Sequence, residues 1–401
     1  VPVPGAGRPR RPVKVSILCA DLSSNCLGRS YILARVLERR YDVEIVGPAF
    51  GDGIWEPLAG EVFDYRAFPM APTAASLPDL RKLATWVDGD YIYANKPLAT
   101  SFGVGLWARL IRPRPLVLDI DDWDAAFVRQ AWAGLSGWPR WRYLLGSTLR
   151  PHLVHGLWNN LLFDRFTRCA DARTVSNSFL AERFDGRLVW HGRDTQMFRP
   201  GRYDRVELRS RYGLDPSEKI VVFLGTLRPY KGVDDLIEAL AGMGPDAPTL
   251  LLVGVGDDET SRATIALANR RLAGRLRTFG RQRFERVPEF LSMADVAVVP
   301  QRDSDATLGQ MPAKLFDAMA LGIPVVSTTV SDIPEVLGEA GWLVPPNSPQ
   351  ELRGALEELF ASPDEAERRA GIARRRCVER FSWDAMEREL VELFECLKMS
   401  H

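Results

Sequence analysis

The chain has 401 residues, which is enough for two ordinary domains with well-buried cores. Its 52 basic and 52 acidic residues cancel, so the overall positive charge expected of a dedicated nucleic-acid binder is missing. Five scattered cysteines without CxxC spacing disfavour a disulfide framework or a zinc site and favour a reducing cytoplasm. No stretch approaches the roughly 18 apolar residues of a membrane span. Residues 1–12 are basic without a hydrophobic run behind them, and we predict a disordered lead-in there.

The first part of the chain, residues 13–197, alternates short apolar runs with helical stretches. The runs are rich in β-branched residues, which is typical of a parallel sheet covered on both faces by helices. We therefore predict a Rossmann-like, doubly wound α/β domain. Its predicted strands lie at 13–20, 43–46, 91–94 and 116–120.

A Trp-rich segment at 132–158 interrupts this alternation. It mixes four Trp, several Arg and two His with Leu and Val. One interpretation is a set of helices closing the first domain, with Trp filling the core and Arg at its solvated edge. The other is a lip that binds acceptor or docks on a membrane surface.

The α/β pattern restarts after a segment rich in Gly, Pro and charge at 191–204, which we interpret as the linker. A second doubly wound domain is predicted over 198–380. Its strands are predicted at 220–224, 249–253, 276–279, 296–299 and 324–327, with helices such as 233–241 and 313–320 between them.

A strand, a glycine turn and a helix follow one another in VVFLGTLRPYKGVDDLIEAL. The turn carries Arg228 and Lys231. Fixed cations and the N–H groups of a helix N-terminus can stabilise the charge on a departing nucleotide diphosphate without a metal. The alternative is a surface turn whose lysine is merely solvated.

A second candidate site lies in SDATLGQMPAKLFDAMALGIPVVST, where Gly309 and Pro312 precede a helix that begins near Ala313. The free N–H groups of that helix predict a phosphate site. Asp317 lies one turn into the helix, where its carboxylate suits both hydroxyls of a ribose. The alternative is a surface acid favoured by the helix dipole.

In this order, GTLRPYKG, LLLVGVGDD, FLSMADVAVVP, PAKLFDAMALGIPVV, SDIPEVL and GWLVPP resemble the donor half of the retaining GT-B glycosyltransferases, in particular family 4. The resemblance implies two Rossmann-like domains facing a cleft. It also implies that residues 381–401 form a helix that crosses back to the N-terminal domain.

The resemblance also implies roles for individual residues. Lys231 and Arg228 would bind the donor diphosphate and act in catalysis, Asp317 would bind ribose, and Gly28 would stand in a glycine loop near the phosphates. Two positions depart from the family pattern: Thr226 replaces an Arg and Gly309 replaces a Glu. Sugar contacts are then expected from Asp303, Asp305 or backbone N–H groups at 309–311. The full donor-binding set is Gly28, Gly225, Arg228, Lys231, Arg281, Asp305, Gly309, Gln310, Met311, Pro312 and Asp317.

Acidic residues follow a strand in LVLDIDDWD. Asp119, Asp121 and Asp122 imitate the metal-binding DxD of GT-A glycosyltransferases, but that interpretation leaves the second domain unexplained. We expect instead that these acids face the cleft, with Asp121 taking part in catalysis. The acceptor candidates are Lys96, Asp122, Trp123 and His191. For His191 a structural imidazole is an equal alternative.

The mechanism that the resemblance implies is retention of anomeric configuration, with the leaving phosphate taking the acceptor proton on the same face. It needs no metal and no cofactor besides the nucleotide-sugar donor. The acceptor is expected to be a small molecule or lipid-linked, with peripheral membrane contact as an option. A nucleotide-sugar epimerase and a non-catalytic nucleotide-sugar-binding protein remain alternatives.

Overall fold

The computed structural model describes residues 12–71, 73, 76–150 and 156–400. Residues 1–11 of the predicted lead-in and residues 151–155 of the Trp-rich segment lie outside the described part. Two parallel sheets, each with helices on both faces, make up the chain.

The first sheet has seven parallel strands in the order β3-β2-β1-β4-β5-β6-β7. Its central strands are buried on both faces, as a run without polar alternation requires. The edge strand β3 is only half-buried and lacks a continuous apolar run. The strands are β1 (Lys14–Leu18), β2 (Asp42–Ala49), β3 (Tyr65–Pro69), β4 (Tyr91–Asn95), β5 (Leu116–Ile120), β6 (Ala172–Val175) and β7 (Arg187–Leu188).

Seven helices connect these strands. They are α1 (Leu27–Leu37), α2 (Leu77–Trp86), α3 (Val104–Ile111), α4 (Asp124–Ala133), α5 (Gly137–Leu149), α6 (Leu157–Phe166) and α7 (Ser178–Phe184). The helices α4, α5 and α6 form the long connection between β5 and β6. The Trp-rich segment therefore belongs to a long helical insertion between two strands of the first domain.

The interpretation of those Trp side chains as core filler is wrong for three of them. Trp138, Trp141 and Trp158 are among the exposed large apolar residues of the molecule. The helices α5 and α6 pack on one side against the domain and leave the other side in solvent, because no further element covers them in the part of the chain that the structure describes.

The second sheet has six parallel strands in the order β10-β9-β8-β11-β12-β13. The strands are β8 (Ile220–Leu224), β9 (Thr249–Val255), β10 (Leu276–Gly280), β11 (Val296–Val299), β12 (Val325–Thr328) and β13 (Trp342–Val344). The helices that precede, connect and follow them are α8 (Arg205–Arg211), α9 (Val233–Gly242), α10 (Glu259–Arg271), α11 (Val287–Ser292), α12 (Asp305–Leu308), α13 (Ala313–Leu321), α14 (Ile333–Leu337), α15 (Pro349–Ala361) and α16 (Pro363–Arg380).

The last helix, α17 (Trp383–Ser400), returns to the first domain. Its apolar face joins the same buried cluster as α1 and β1, with Leu390 fully buried. Phe394 packs edge-on against the rings of Tyr91 and Tyr93. Truncating an aromatic side chain buried in this way costs about 3–5 kcal/mol, so α17 fastens the chain's end to the first domain.

Candidate active site

Two lysine side chains meet at the carboxyl end of β8, where Gly225 begins the turn to α9. The Nζ atoms of Lys314 and Lys231 lie 3.2 and 3.8 Å from the point that a Cβ atom on Gly225 would occupy. Gly225 has φ +122°, a conformation that side-chain-bearing residues rarely adopt. The glycine therefore leaves open a small space lined by two ammonium groups.

The charges of these lysines are incompletely neutralised. Burial and the cation of Arg228 lower the pKa of Lys231 to about 8. Burial and the charge of Lys231 also lower the pKa of Lys314 well below its ordinary value. Lys314 lies 3.9 Å from the ring centroid of Phe223, and Lys231 donates a 2.8 Å hydrogen bond to Oγ1 of Thr226. A bound anion would relieve this concentration of positive charge.

Two predicted arginines stand further out on the same side. Nη1 of Arg228 lies 3.3 Å from Oδ2 of Asp258, and both side chains are well exposed. Arg281 is exposed, with Nη2 3.9 Å from the Cβ position of Gly256. The sequence pointed to Arg228 as the substitute for the arginine missing at Thr226. The structure instead brings Lys314 to the space beside Lys231.

Asp317, the predicted ribose ligand, is buried against Arg193. This arginine belongs to the predicted linker at 191–204, which we call the interdomain segment. The Arg193 Nε atom donates to the Asp317 carboxylate, and Nη2 donates a 3.0 Å hydrogen bond to the carbonyl of Ala313. Burial raises the pKa of Asp317, and the Arg193 cation opposes that rise. Arg193 thereby links the carboxylate of Asp317, in the middle of α13, to the carbonyl of the first residue of that helix.

Gly309, which stands where the family has Glu, packs against the first domain. A Cβ atom there would lie 2.6 Å from the Cβ atom of Trp123, and the Trp123 N–H donates to the Gly309 carbonyl at 3.1 Å. Next to it, Nε2 of Gln310 donates to Oδ1 of Asp122 at 3.1 Å. This contact between the domains leaves no room for a side chain, which gives a physical reason for glycine at this position.

The remaining donor candidates in this loop differ in exposure. Met311 is a core side chain of the second domain, Pro312 caps α13, and Asp305 is exposed in the first turn of α12. The N–H groups of Gly309 and Gln310 are directed to the carbonyl of Thr307. Sugar contacts through those two N–H groups would therefore require the loop to change.

Across the cleft, Lys96 lies among three carboxylates at the carboxyl ends of β4 and β5. Its Nζ atom is 3.0 Å from Asp121, 3.4 Å from Asp122 and 2.9 Å from Asp124. Lys96 has φ +71°, an uncommon conformation for a non-glycine residue that is often found at functional sites. Burial raises the pKa of Asp122 to about 6. The Lys96 cation lowers this pKa, and the charges of Asp121 and Asp124 raise it.

Asp119 is not available as a metal ligand. Its carboxylate is fully buried and accepts two hydrogen bonds from Arg29, at 3.1 and 3.0 Å. Asn95 and Thr174 also donate to it, at 2.9 and 2.8 Å. With its oxygen lone pairs engaged, Asp119 serves as a structural anchor between strands. The first carboxylate of the DxD pattern is therefore not free to bind a metal.

His191 lies at the entrance of the interdomain segment. Its Nδ1 atom is 3.5 Å from Nη1 of Arg29, and its ring centroid is 6.3 Å from that of Phe316 in the second domain. Burial and the Arg29 cation lower the pKa of His191 well below its usual value. Because a guanidinium only donates, this contact suits Nδ1 as an acceptor. His191 is therefore a neutral imidazole at this junction.

Gly28 lies in the first turn of α1, and a Cβ atom there would be 3.5 Å from the indole of Trp55. The preceding loop, with Asp21, Ser24 and Asn25, lines a cavity of about 470 Å³ in the first domain. The opposite wall is α5 and the residue after it, which contribute Arg142 and Arg150. The charge of Lys96 lowers the pKa of Cys26, which follows this loop. The loop therefore lies near both the cavity and the acidic cluster, by which we mean Asp121, Asp122 and Asp124 around Lys96.

The structure thus brings the donor and acceptor candidates of the two domains together. The negative charge of Asp122 acts on both Tyr230 and Lys231 across the cleft. Arg228, Arg281 and Asp305 are exposed. A cationic space in the second domain therefore faces an acidic cluster in the first.

This architecture matches solved structures over nearly the whole chain. The crystal structure of Anabaena Alr3699/HepE in complex with UDP-glucose superposes with a TM-score of 0.74 at 19% identity, covering 96% of this chain and 99% of that one. The fold is GT-B. This confirms the fold predicted from the sequence.

Residues 218–362, within the second GT-B domain, match the family model described as Glycosyl transferases group 1. D-inositol 3-phosphate glycosyltransferase of Segniliparus rotundus is 32% identical over 207 residues, which cover 49% of this chain and 44% of that protein. Alpha-maltose-1-phosphate synthase of Mycolicibacterium smegmatis is 29% identical over 220 residues, covering 52% and 56% respectively. The chain thus spans about half the length of these curated relatives.

Sequence reasoning missed Lys314 and Arg193 as members of this GT-B cleft. Lys314 precedes Asp317 by three residues, so both lie on one face of α13, and that spacing was a usable signal. Arg193 carried no such signal, because its partner Asp317 lies far along the chain. Only the approach of the interdomain segment to α13 joins them.

Proposed function

We propose that this protein is a glycosyltransferase that takes its sugar from a nucleotide diphosphate donor. The observation that carries the proposal is the convergence of Lys231 and Lys314 at Gly225, beside the N-terminus of α13. Two incompletely neutralised ammonium groups suit the two charges of a diphosphate. The family match over 218–362 and the UDP-glucose bound to the Anabaena neighbour support the same assignment.

We further propose that the reaction proceeds with retention of anomeric configuration and without a metal. As the bond between sugar and diphosphate breaks, Lys231 and Lys314 stabilise the charge that develops on the leaving phosphate. That phosphate takes the proton of the attacking hydroxyl on the same face. No protein nucleophile is required, and closure of the cleft limits competing attack by water.

In this proposal the acidic cluster orients the acceptor. Asp121 and Asp122 accept hydrogen bonds from acceptor hydroxyls, while Lys96 holds both carboxylates in place. The acceptor enters from the cavity lined by Asn25 and Arg142. The two arginines of that cavity suit an acceptor that carries an anionic group. Asp317 remains our candidate for the ribose hydroxyls, oriented by Arg193.

Donor recognition is tested by thermal shift with UDP, GDP, ADP and dTDP. We expect one nucleotide to raise Tm, and the same nucleotide to lose its effect in Lys231→Met. Stabilisation of both proteins by the same amount would contradict the proposed diphosphate site.

Turnover is tested with the sugar form of the stabilising nucleotide, with and without chelator. Release of nucleotide that persists under chelation supports the metal-free mechanism, and loss of release contradicts it. The anomeric configuration of the product, read from the coupling of its anomeric proton by NMR, decides retention. Conversion of the nucleotide sugar into a different nucleotide sugar without any acceptor would instead indicate an epimerase, and binding without turnover would indicate a non-catalytic protein.

A further inference from the structure

An apolar stripe runs along the exposed side of α5. Trp138, Trp141, Leu145 and Leu149 follow one another at intervals of three and four residues, which places them on one face of the helix. They are 75%, 66%, 58% and 58% exposed. Four large apolar side chains in a row are more than the single exposed residues of an ordinary protein surface.

The neighbouring helix α6 continues this surface. Trp158, Leu162 and Phe166 recur every fourth residue and are 46%, 52% and 42% exposed. Nε1 of Trp158 donates a 3.1 Å hydrogen bond to Oγ1 of Thr148, so the start of α6 lies against the end of α5. We call these two stripes together the α5–α6 surface.

The stretch of sequence that contains α5 and the start of α6 carries charge of one sign. The sequence contains no Asp or Glu between Asp124 and Asp164, while it contains Arg129, Arg140, Arg142 and Arg150 in that interval. Asp164 itself lies 3.5 Å from Arg183 of α7, two residues away from Leu162 along α6 and hence off the apolar face. Arg142 follows Trp141 directly and borders the stripe, whereas Arg129 and Arg140 stack on the rings of Trp123 and Trp132. The stripe of α5 thus has a cation and no carboxylate beside it in the sequence.

We propose that the α5–α6 surface docks on an anionic lipid bilayer. Its Trp and Leu side chains enter the interface between head groups and acyl chains, and the positive charge of this stretch attracts anionic lipid head groups. A second copy of the chain is a poorer occupant, because a self-complementary contact would bring arginines against arginines without carboxylates. None of the helices in the described part of the chain combines the length and apolar content needed to cross a bilayer. The contact is therefore interfacial.

Docking would also orient the proposed acceptor cavity. The helix α5 carries the apolar stripe and also lines the cavity with Arg142, Tyr143 and Ser147. A docked protein would hold that cavity beside the bilayer, where a lipid-linked acceptor presents its head group. This consequence rests on the proposed function, whereas the docking itself does not.

The test is flotation of the purified chain with lipid vesicles. We expect binding to vesicles of phosphatidylcholine with phosphatidylglycerol, weaker binding to phosphatidylcholine alone, and weakening by added salt. Trp141→Ser with Leu145→Ser should reduce the partition coefficient by at least about tenfold, since two apolar side chains no longer enter the interface. No catalytic readout is involved, so failure here is distinguishable from failure of the proposed function.

A matched control changes two exposed apolar residues elsewhere, Val62→Ser with Val206→Ser. It should bind vesicles like the wild type. Equal binding by the control and by Trp141→Ser with Leu145→Ser overturns the proposal, as does absence of wild-type binding to the anionic vesicles. Light scattering measures the oligomeric state of the same proteins. If the wild type is a dimer that does not bind vesicles, and if Trp141→Ser with Leu145→Ser dissociates this dimer, the surface contacts a second copy. That result also overturns the proposal.

Discussion

The Nζ atom of Lys231 donates a 2.8 Å hydrogen bond to Oγ1 of Thr226, the residue that replaces an arginine in the family that the sequence resembles. Threonine supplies a hydroxyl but no charge at this position. The second cationic side chain is Lys314 on α13, whose Nζ atom approaches the same Cβ position of Gly225. In the proposed donor site, a pair of lysines from two different elements thus takes the place of the arginine and lysine of the family that the sequence resembles.

Removing either lysine should weaken donor binding. Because each ammonium would make a charge-assisted contact with the diphosphate, Lys231→Met and Lys314→Met are each expected to raise the nucleotide diphosphate Kd by about tenfold to a hundredfold. Isothermal titration calorimetry measures the change. Lys82→Met removes an exposed lysine and should leave Kd unaltered. A Kd that is unaffected in Lys314→Met would show that Lys314 does not contact the donor.

Donor affinity should fall as the pH rises through about 8. Lys231 has a pKa lowered to about 8, so the free protein loses this cation above that pH and keeps it below. A diphosphate binds the charged form, and its Kd is expected to increase on the alkaline side. Lys231→Arg keeps the charge and should show a flatter profile. Titration of the nucleotide diphosphate across this pH range is the measurement, and identical profiles would contradict the assignment.

Restoring the family residue at Gly309 should damage the protein. In Gly309→Glu the Cβ atom would lie 2.6 Å from that of Trp123, so the two domains must separate there. We expect a loss of about 1–3 kcal/mol of stability, seen as a lower Tm, with an increased radius of gyration in small-angle scattering. Gly354→Glu is the control, because no atom lies within 4 Å of its Cβ position. An unchanged radius of gyration together with improved turnover would contradict this explanation.

Arg193 should stabilise the fold through Asp317. Removing one partner of a buried ion pair leaves the other charge uncompensated, so Arg193→Ala is expected to cost about 3–5 kcal/mol. Adding Asp317→Asn should recover part of that loss, since the carboxylate charge is then gone. Thermal unfolding of the two single variants and the double variant gives the coupling. Arg199→Ala, at an exposed position of the same segment, should have little effect.

Asp122 should make stability depend on pH. Its folded-state pKa of about 6 exceeds the ordinary 3.8, so the folded protein holds this proton more tightly than the unfolded chain. The associated stability is present at low pH and is lost as the pH rises through about 6. The Asp122→Asn variant does not lose this stability, because its side chain does not titrate. Its Tm should therefore exceed that of the wild type more at about pH 8 than at about pH 5. A constant difference would contradict the raised pKa.

Much of the fold could be predicted because its signals are local. The predicted strand at 116–120 coincides with β5, and the predicted helix at 233–241 is one residue shorter than α9. The half-buried edge strand β3 has a weaker pattern, since it lacks the apolar run of a central strand. The exposed tryptophans of α5 could not be placed, because an amphipathic sequence does not say whether its apolar side meets a core or a surface.

The sequence by itself determined the two doubly wound domains, the glycine turn with Lys231 and the helix that begins before Asp317, because each rests on residues close together in the chain. Only the tertiary structure decided that Lys314 joins Lys231, that Arg193 holds Asp317, and that Trp123 fills the space beside Gly309. These contacts join distant segments. Their geometry depends on how the sheets and the interdomain segment pack, which no local periodicity encodes.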